Sequence, residues 1–314
     1  MTTQESLRKL LEHLSALQYR FITVTPETHA LVNARPGNER ARSLRDVFGW
    51  NRSFSPDVLP AGLFDVMRAA DACLIEADGS WRATLRVASL GHRLFLHSAF
   101  PTLETDAVFF GPDSYRFARA VQSLALTATR AVDVGCGSGV GGIVLSHCAG
   151  LAAPVVLADI NERALELARI NAEVAGIAAE VVKSDVLREV DGAVDLVIAN
   201  PPYLADDARR SYRDGGGASG AALSARMVKE ALVRLDRDGG GSLVMYTGVA
   251  VRADGDPFWR LIQDDLEQSG ARFEYEELDP DIFASELERP VYAEAERIAA
   301  VLLRVTLGGR DSSR

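Results

Sequence analysis

The spacing of apolar residues divides the chain into an N-terminal region and a longer region in which strands and helices alternate. Near the N-terminus, leucines recur three or four residues apart between Leu7 and Leu17, which predicts an amphipathic helix over residues 1–18. From about residue 105, short apolar runs alternate with helical patterns, an order typical of β-α-β units around a parallel sheet. We therefore predict two domains, residues 1–104 and residues 105–314.

The N-terminal domain is predicted to contain both helices and strands. A helical pattern over Ala61–Ala72 is followed by strands at Ala72–Glu76 and Trp81–Val87, joined by a turn that contains Gly79. A further short strand is predicted at Leu94–Leu96. A helix that leads into a hairpin is typical of the end of a winged-helix unit, although many small α+β modules share that pattern. We predict a small α+β domain, for which a winged helix is one candidate.

The second region predicts an α/β fold of the Rossmann-like kind. Apolar runs predict strands at Ala131–Val134, Val155–Asp159, Ala179–Lys183, Val194–Asn200 and Ser242–Thr247. Helical patterns occur at Tyr115–Leu126, Val140–Cys148, Glu162–Ala175 and Ala222–Leu235, and Gly176 and Gly239 are predicted to end two of these helices. Two late runs, Phe273–Leu278 and Ala299–Thr306, predict an antiparallel pair at one edge. Together these patterns predict a mostly parallel sheet of seven strands with helices on both faces.

The composition is that of a soluble globular protein, with 47% hydrophobic and 25% charged residues. Three cysteines are too few for a disulfide framework or a zinc site, and no apolar run is long enough for a membrane span, so we expect a cytoplasmic protein without a bound metal. The formal net charge of −10 argues against a dedicated nucleic-acid binder. A local exception is the run of five arginines, which is either a solvated surface or a contact for an acidic partner or RNA phosphate: Arg35, Arg40, Arg42, Arg45 and Arg52.

A glycine-rich loop follows the first strand of the α/β region. The stretch Val132–Gly142 reads VDVGCGSGVGG, a strand that runs into glycines and then into a helix. Glycines let the backbone approach a ligand closely, and the helix N-terminus offers free amide hydrogens. Because Gly137, Gly139 and Gly142 also satisfy the spacing of a dinucleotide fingerprint, the loop alone does not identify the ligand. Cys136 lies within the loop, where a small side chain is expected to serve packing rather than nucleophilic attack.

Two aspartates end the next two strands. Asp159 lies twenty residues after Gly139, where a carboxylate can accept both hydroxyls of a ribose. Asp185 ends the third strand and is placed to accept from an adenine amino group, because ligands of open α/β sheets bind at the carboxyl ends of strands. Alternatively, Asp159 could cap the following helix and Asp185 could be a surface residue. The carboxylate at Asp159 fits NAD and S-adenosylmethionine equally well.

The stretch Ile198–Leu204, IANPPYL, leaves the fourth strand through an amide, two prolines and an aromatic ring. The side-chain oxygen of Asn200 can accept a hydrogen bond from a substrate N–H, and the Pro201 carbonyl can accept another. Two acceptors held by stiff proline backbone would orient an amino group so that its lone pair points away from them, toward an electrophile. Tyr203 could stack on a planar substrate group. This arrangement suits methyl transfer to a planar nitrogen, and a dehydrogenase has no need of it.

These features together resemble the class I S-adenosylmethionine-dependent methyltransferases over roughly residues 105–307. The segment Asn200–Tyr203 resembles the NPPY signature of the branch that methylates amino groups, on release-factor glutamine, DNA adenine or ribosomal RNA guanine. The resemblance implies S-adenosylmethionine as cofactor and catalytic roles for Asn200, Pro201, Pro202 and Tyr203. It implies cofactor contacts for a larger set, which is Asp133, Gly135, Cys136, Gly137, Gly139, Asp159, Ile160, Asp185, Val186 and Asn200.

Two further stretches are similar to the glutamine N5-methyltransferases. FFGPDSYRF (Phe109–Phe117) precedes the glycine loop, and Asp113 within it is a candidate cap for the helix near Tyr115. RDGGGASGAAL (Arg213–Leu223) follows the NPPY. The resemblance therefore favours a protein glutamine as the methyl acceptor. The alternatives are a base in nucleic acid, a small molecule beneath an N-terminal lid, and a regulator that only senses the cofactor.

Overall fold

The computed structural model describes residues 2–102, 104–206, 208, 210–217 and 220–308. Its N-terminal part contains helices α1 (Thr3–Ala16), α2 (Pro26–Asn33), α3 (Leu44–Phe48) and α4 (Leu63–Ala69). Strands β1 (Cys73–Ile75) and β2 (Trp81–Ala83) form one antiparallel hairpin, and β3 (Leu85–Leu90) and β4 (Arg93–Ser98) form a second. The helix followed by a hairpin is therefore present, as α4 followed by β1 and β2.

The prediction of one strand over Trp81–Val87 is wrong. The chain changes partners at Thr84, whose backbone N–H donates to the carbonyl of Ala72 and whose hydroxyl donates to the carbonyl of Asp71. Residues before Thr84 pair with β1, and Val87 pairs instead with Leu96 on β4. The side-chain pattern alone could not show this change, because both halves of the run are compatible with a strand.

The C-terminal part forms a seven-stranded sheet. Its strands are β5 (Ala131–Val134), β6 (Val155–Asp159), β7 (Ala179–Lys183), β8 (Leu196–Ala199), β9 (Ser242–Arg252), β10 (Arg272–Asp279) and β11 (Ala295–Thr306). Their order across the sheet is β10-β11-β9-β8-β5-β6-β7, and β11 is antiparallel to both of its neighbours while the remaining pairs are parallel. The predicted mostly parallel sheet with an antiparallel edge pair is confirmed.

Helices cover both faces of this sheet, as predicted. They are α5 (Pro112–Ser123), α6 (Val140–Cys148), α7 (Glu162–Val174), α8 (Ala222–Arg234) and α9 (Pro257–Ser269). Alternate residues of each strand point to opposite faces, so Ala131 packs with α5 and α6 in one core while Val132 packs with α8 and α9 in another. This arrangement leaves the carboxyl ends of the parallel strands free to carry a site.

Two details of the helices differ from expectation. Helix α9 was not predicted, although Asp256 caps its N-terminus and Phe258 and Ile262 begin a buried stripe at helical spacing. Gly239 does not end α8, because Leu235 is already extended, whereas Gly176 has a φ of +70° directly after the last turn of α7 and confirms that prediction.

The N-terminal part packs directly on α7. Leu7, Leu10 and Leu14 of α1 share a buried core with Leu167 and Ile170 of α7. Because α7 begins just after the carboxyl end of β6, this contact brings the N-terminal part close to that end of the sheet. None of the helices in the described ranges is long and apolar enough to cross a membrane.

Candidate functional site

One cavity lies at the carboxyl ends of β5, β6 and β8 and collects nearly all of the predicted site residues. The predicted site residues that line it are Asp133, Gly135, Cys136, Gly137, Asp159, Ile160, Asp185, Val186, Asn200, Pro201, Pro202 and Tyr203. The parallel register explains the grouping, since Val134 of β5 pairs with Ala158 of β6 and with Ala199 of β8. Three loops that are distant in sequence therefore leave the sheet side by side.

Gly139 is the exception, because it does not line the cavity. It is the residue before the first turn of α6, with a φ of +78°, and a β-carbon on it would lie 3.2 Å from the β-carbon of Ala168. Glycine is therefore required there by its backbone conformation and by the close approach of α6 to α7. The structure gives Gly139 a packing role, and its predicted cofactor contact stays a prediction.

The two acids beside the glycine loop are held by backbone amides. Asp133 accepts a hydrogen bond from the Gly142 N–H at 2.7 Å. Asp159 accepts from the Gly137 N–H and from the Asn161 N–H, each at 2.9 Å. Asp159 does not cap α7, because the side chain of Asn161 does so. Burial raises the pKa of both carboxyl groups, so this end of the cavity disfavours further negative charge and would favour a cationic ligand.

Asp133 gives this end of the cavity a predicted pH dependence. Its pKa is raised to about 7, mainly by burial and to a smaller extent by the nearby Asp159, while the hydrogen bond from the Gly142 amide opposes both. Because the folded-state pKa exceeds the unfolded value, Asp133 favours the folded state most at low pH, and that contribution falls between about pH 4 and pH 7. A cationic ligand bound beside Asp133 would instead favour the ionised carboxylate. The affinity for that ligand should therefore weaken by up to about tenfold per pH unit below pH 7.

The measurement is ligand affinity and melting temperature against pH for the wild type and for Asp133→Asn. The variant should lose the part of each pH dependence that Asp133 contributes, because its amide does not titrate. Parallel profiles for the two proteins would contradict the assignment.

Asp185 is more tightly engaged than the sequence suggested. Both of its oxygens accept from the Arg226 guanidinium at 2.8 Å, which holds its pKa below the usual value. The next residue, Val186, has a φ of +60°, which is a strained backbone conformation for a β-branched residue. The carboxylate keeps free lone pairs for one more donor. A fixed acid beside a strained residue indicates that this corner of the cavity is held in one shape.

Asn200 lies half-buried in the cavity wall with its side-chain amide uncommitted. Neither that amide nor the Pro201 carbonyl has a hydrogen-bond partner among the described residues. Two polar groups next to each other are therefore available to a ligand. The orienting role that the NPPY stretch predicts for these two groups stays a prediction.

Asp113 is the functional residue that the sequence analysis misassigned. Helix α5 begins at Pro112 after Gly111, so Asp113 lies in the first turn and does not cap the helix. Its carboxylate instead accepts from the Tyr203 hydroxyl at 2.6 Å and from the Tyr246 hydroxyl at 2.7 Å. Burial raises the pKa of Tyr203 well above its usual value, so the phenol remains a donor. Tyr203 is therefore fixed by a buried acid.

The Tyr203 ring is also held from the other side. A β-carbon on Gly248 of β9 would lie 2.2 Å from the ring, so only glycine at that position allows the ring its place. The ring still lines the cavity, and its expected stacking on a planar group stays a prediction.

Four other parts of the chain also line the cavity, and we call these residues its roof. Pro26 of α2 contributes from the N-terminal part, and Phe283 contributes from the segment before β11. Phe109 and Tyr212 stack with 5.8 Å between ring centroids. The loop after the NPPY is tied down by an ion pair between Arg213 and Glu286. Within the predicted stretch Arg213–Leu223, positions 218 and 219 lie outside the described residues.

The arginine run of the N-terminal part is largely used within the protein. Arg40 pairs with Asp78 at 2.6 Å, and Arg52 is buried against Asp46. Arg45 lies 5.8 Å from the centre of the Phe21 ring. Only Arg52 is buried, and the other four arginines remain exposed, so a contact of the run with an acidic partner or RNA phosphate stays a prediction.

Comparison with known proteins matches the same part of the chain. Residues 117–253 match the Methyltransferase small domain family. A release factor glutamine methyltransferase of Mycobacterium leprae is 47% identical over 81 residues, which cover 24% of this chain and 27% of the relative. Ribosomal RNA small subunit methyltransferase C of Serratia proteamaculans is 39% identical over 74 residues, covering 24% and 21%. Ribosomal protein L11 methyltransferase of Thermotoga neapolitana is 42% identical over 71 residues, covering 23% and 26%.

These matches span only about a quarter of the length of each relative. Among solved structures, the Pyrococcus horikoshii protein PH0793 is similar over 79% of this chain and 82% of its own, with a TM-score of 0.50 and 12% identity. That likeness concerns the fold, whereas the family match over residues 117–253 concerns the region around the cavity.

Proposed function

We propose that this chain, whose residues 117–253 form a class I S-adenosylmethionine-dependent methyltransferase domain of the Methyltransferase small domain family, methylates a planar amino or amide nitrogen. The observation that carries the proposal is the uncommitted pair formed by the Asn200 amide and the Pro201 carbonyl, at the edge of the cavity that the glycine loop shapes.

The cavity fits S-adenosylmethionine. Asp133 and Asp159 provide buried carboxylates whose pKa values are raised, and a cationic ligand would relieve their mutual repulsion. Asp159 would hold the ribose hydroxyls and Asp185 the adenine amino group, while Gly135 and Gly137 leave room for close backbone contact. When bound, S-adenosylmethionine supplies a methyl group that its sulfonium already activates.

The contribution of this chain to the reaction is positioning. The Asn200 side-chain oxygen and the Pro201 carbonyl would each accept a hydrogen bond from one N–H of the substrate nitrogen. These two bonds would turn the lone pair of that nitrogen away from the oxygens and toward the methyl group. Pro201 and Pro202 keep the backbone stiff. Tyr203, fixed by Asp113, would form a flat wall for the acceptor. No side chain needs to act as a strong base in this arrangement.

The best-supported acceptor is the side-chain amide of a protein glutamine. Relatives named for release-factor glutamine and for ribosomal protein L11 support a protein acceptor, and the relative named for ribosomal RNA supports a base. Arg52 is buried against Asp46 and Arg40 is paired with Asp78 at the surface, so two arginines of the run are already engaged and less available to phosphate. A single side chain could enter beneath the roof formed by Pro26, Tyr212 and Phe283. The same roof makes a small-molecule acceptor the second candidate, with residues 1–104 as a lid.

A methyl-transfer assay tests the proposal. Purified protein and labelled S-adenosylmethionine are incubated with a cofactor-depleted cell extract, and aliquots are then treated with protease, treated with nuclease, or passed through a small-molecule filter. We expect label that is lost to protease and that mass spectrometry places on a glutamine amide. Label lost to nuclease, or label in the small-molecule fraction, would overturn the protein acceptor but keep the methyltransferase. Tight cofactor binding without any labelled product would support a cofactor sensor or an acceptor that the extract lacks.

A further inference from the structure

A buried arginine in the N-terminal part has no acidic partner. Arg86 of β3 is only 7% exposed, yet it makes no hydrogen bond or ion pair within the described part of the chain, and its Nε is completely buried. Among the ionisable groups of the described residues, only the phenols of Tyr19 and Tyr115 favour its charge. Burial lowers its pKa only to about 10, so the guanidinium stays charged at neutral pH. An isolated buried charge is strongly unfavourable unless something compensates it.

Three more unpartnered polar atoms are buried near Arg86. His97 lies directly opposite Arg86 in the β3–β4 hairpin, so the two side chains share one face of it. His29 of α2 is close enough for the Arg86 charge to lower its pKa. The Nε2 atoms of both histidines lack partners, as does the hydroxyl of Thr23, whose N–H donates to the Tyr115 hydroxyl. These residues are 1% to 3% exposed, so the group is enclosed between α2, the hairpin and α5.

The free groups in this cluster are mainly hydrogen-bond donors. Burial lowers the pKa of both imidazoles, so each is neutral at pH 7 and carries one N–H. The Asn33 side-chain nitrogen lies 3.4 Å from Nδ1 of His29, and in the tautomer in which Nδ1 accepts from it the N–H is on Nε2. Arg86 can only donate, and the Thr23 hydroxyl can donate. The cluster thus carries one positive charge and several donors, with no carboxylate facing them in the described ranges.

We propose that Arg86, His29, His97 and Thr23 form a binding site for a small oxyanion, either a phosphate or a carboxylate. Oxygen atoms of such an anion match the guanidinium fork and the imidazole N–H groups, and its charge compensates Arg86. The site is separate from the main cavity, whose lining contains none of these four residues.

Helix α2 connects the proposed site with the main cavity. His29 is the only buried side chain of α2, while Pro26 at the start of the same helix lines the cavity roof. An anion that bonds to His29 would therefore hold α2, and with it part of the roof, in place. A bound oxyanion is thus expected to keep Pro26 in its place in the cavity roof, whatever the methyl acceptor is.

The test is a thermal-shift titration with inorganic phosphate and with acetate, each against chloride at constant ionic strength. We expect one of the two oxyanions to raise the melting temperature of the wild type by about 2–4 °C at saturation. Arg86→Met should abolish the rise, and without oxyanion it should melt no lower than the wild type, because an uncompensated charge is removed. Arg86→Lys keeps the charge without the fork and should bind more weakly. Arg35→Met, which removes an exposed arginine of the same region, should behave as the wild type.

The two probes distinguish the source of the anion, because a rise with phosphate alone assigns a phosphate site and a rise with acetate alone assigns a carboxylate site. Hydrogen exchange should show slower exchange of the α2 amides when the effective anion is present. The proposal is overturned if neither anion stabilises the wild type or if Arg86→Met keeps the full rise. It is equally overturned if Arg86→Met melts well below the wild type without oxyanion, since Arg86 would then be a structural residue. None of these results depends on methyltransferase activity, so they leave the proposed function untouched.

Discussion

Asn200→Ala is expected to lower the rate of methyl transfer by about 10²- to 10³-fold while S-adenosylmethionine still binds. The Asn200 amide has no partner among the described residues, so its removal should cost the fold little. What is lost is the acceptor that orients the nucleophilic nitrogen, and the Pro201 carbonyl alone leaves that nitrogen free to rotate. The measurement is single-turnover methyl transfer alongside cofactor affinity.

Asn200→Asp is the matched control, because a carboxylate keeps the oxygen acceptor in the same place. It should retain more activity than Asn200→Ala if accepting a hydrogen bond is the role of Asn200. Equal losses in the two variants would indicate that the amide N–H matters instead. Full activity of Asn200→Ala would sink the orienting role.

Most of the sheet could be predicted because each strand is marked by a short apolar run in the sequence. The runs around Val132, Leu157 and Ile198 are apolar throughout, as expected of strands that are buried on both faces. Since the carboxyl ends of parallel strands meet at one edge, the spacing of Asp133, Asp159 and Asn200 was sufficient to predict one shared cavity. Helix α9 shows that a local signal can also be overlooked, as its cap and apolar stripe are plain in the sequence.

The parts of the site that depend on long-range pairing could not be predicted. Asp113 and Tyr203 are 90 residues apart, and Asp113 and Tyr246 are 133 residues apart. In a single sequence, an aspartate near a helix start fits the pattern of a cap, and only the fold shows that its carboxylate faces two phenols. The uncompensated charge of Arg86 likewise becomes visible only when β3, α2 and α5 are placed together.

Asp159→Ala is expected to weaken S-adenosylmethionine binding by about 10²-fold, the loss expected for two hydrogen bonds to a charged acceptor. Each Asp159 oxygen accepts one backbone N–H, from Gly137 and from Asn161, and keeps a lone pair for one ribose hydroxyl. The substitution therefore removes the ribose contacts and also releases the glycine loop. Both effects reduce affinity, and calorimetric titration measures their sum.

Glu162→Ala is the matched control for Asp159→Ala. Glu162 lies three residues further along, is exposed, pairs with Lys183 and does not line the cavity. Its removal should leave cofactor affinity unchanged. The melting temperature of Asp159→Ala separates the two contributions, because release of the glycine loop lowers stability without ligand whereas loss of the ribose contacts does not. Unchanged affinity of Asp159→Ala would contradict the placement of the nucleoside at the carboxyl end of β6.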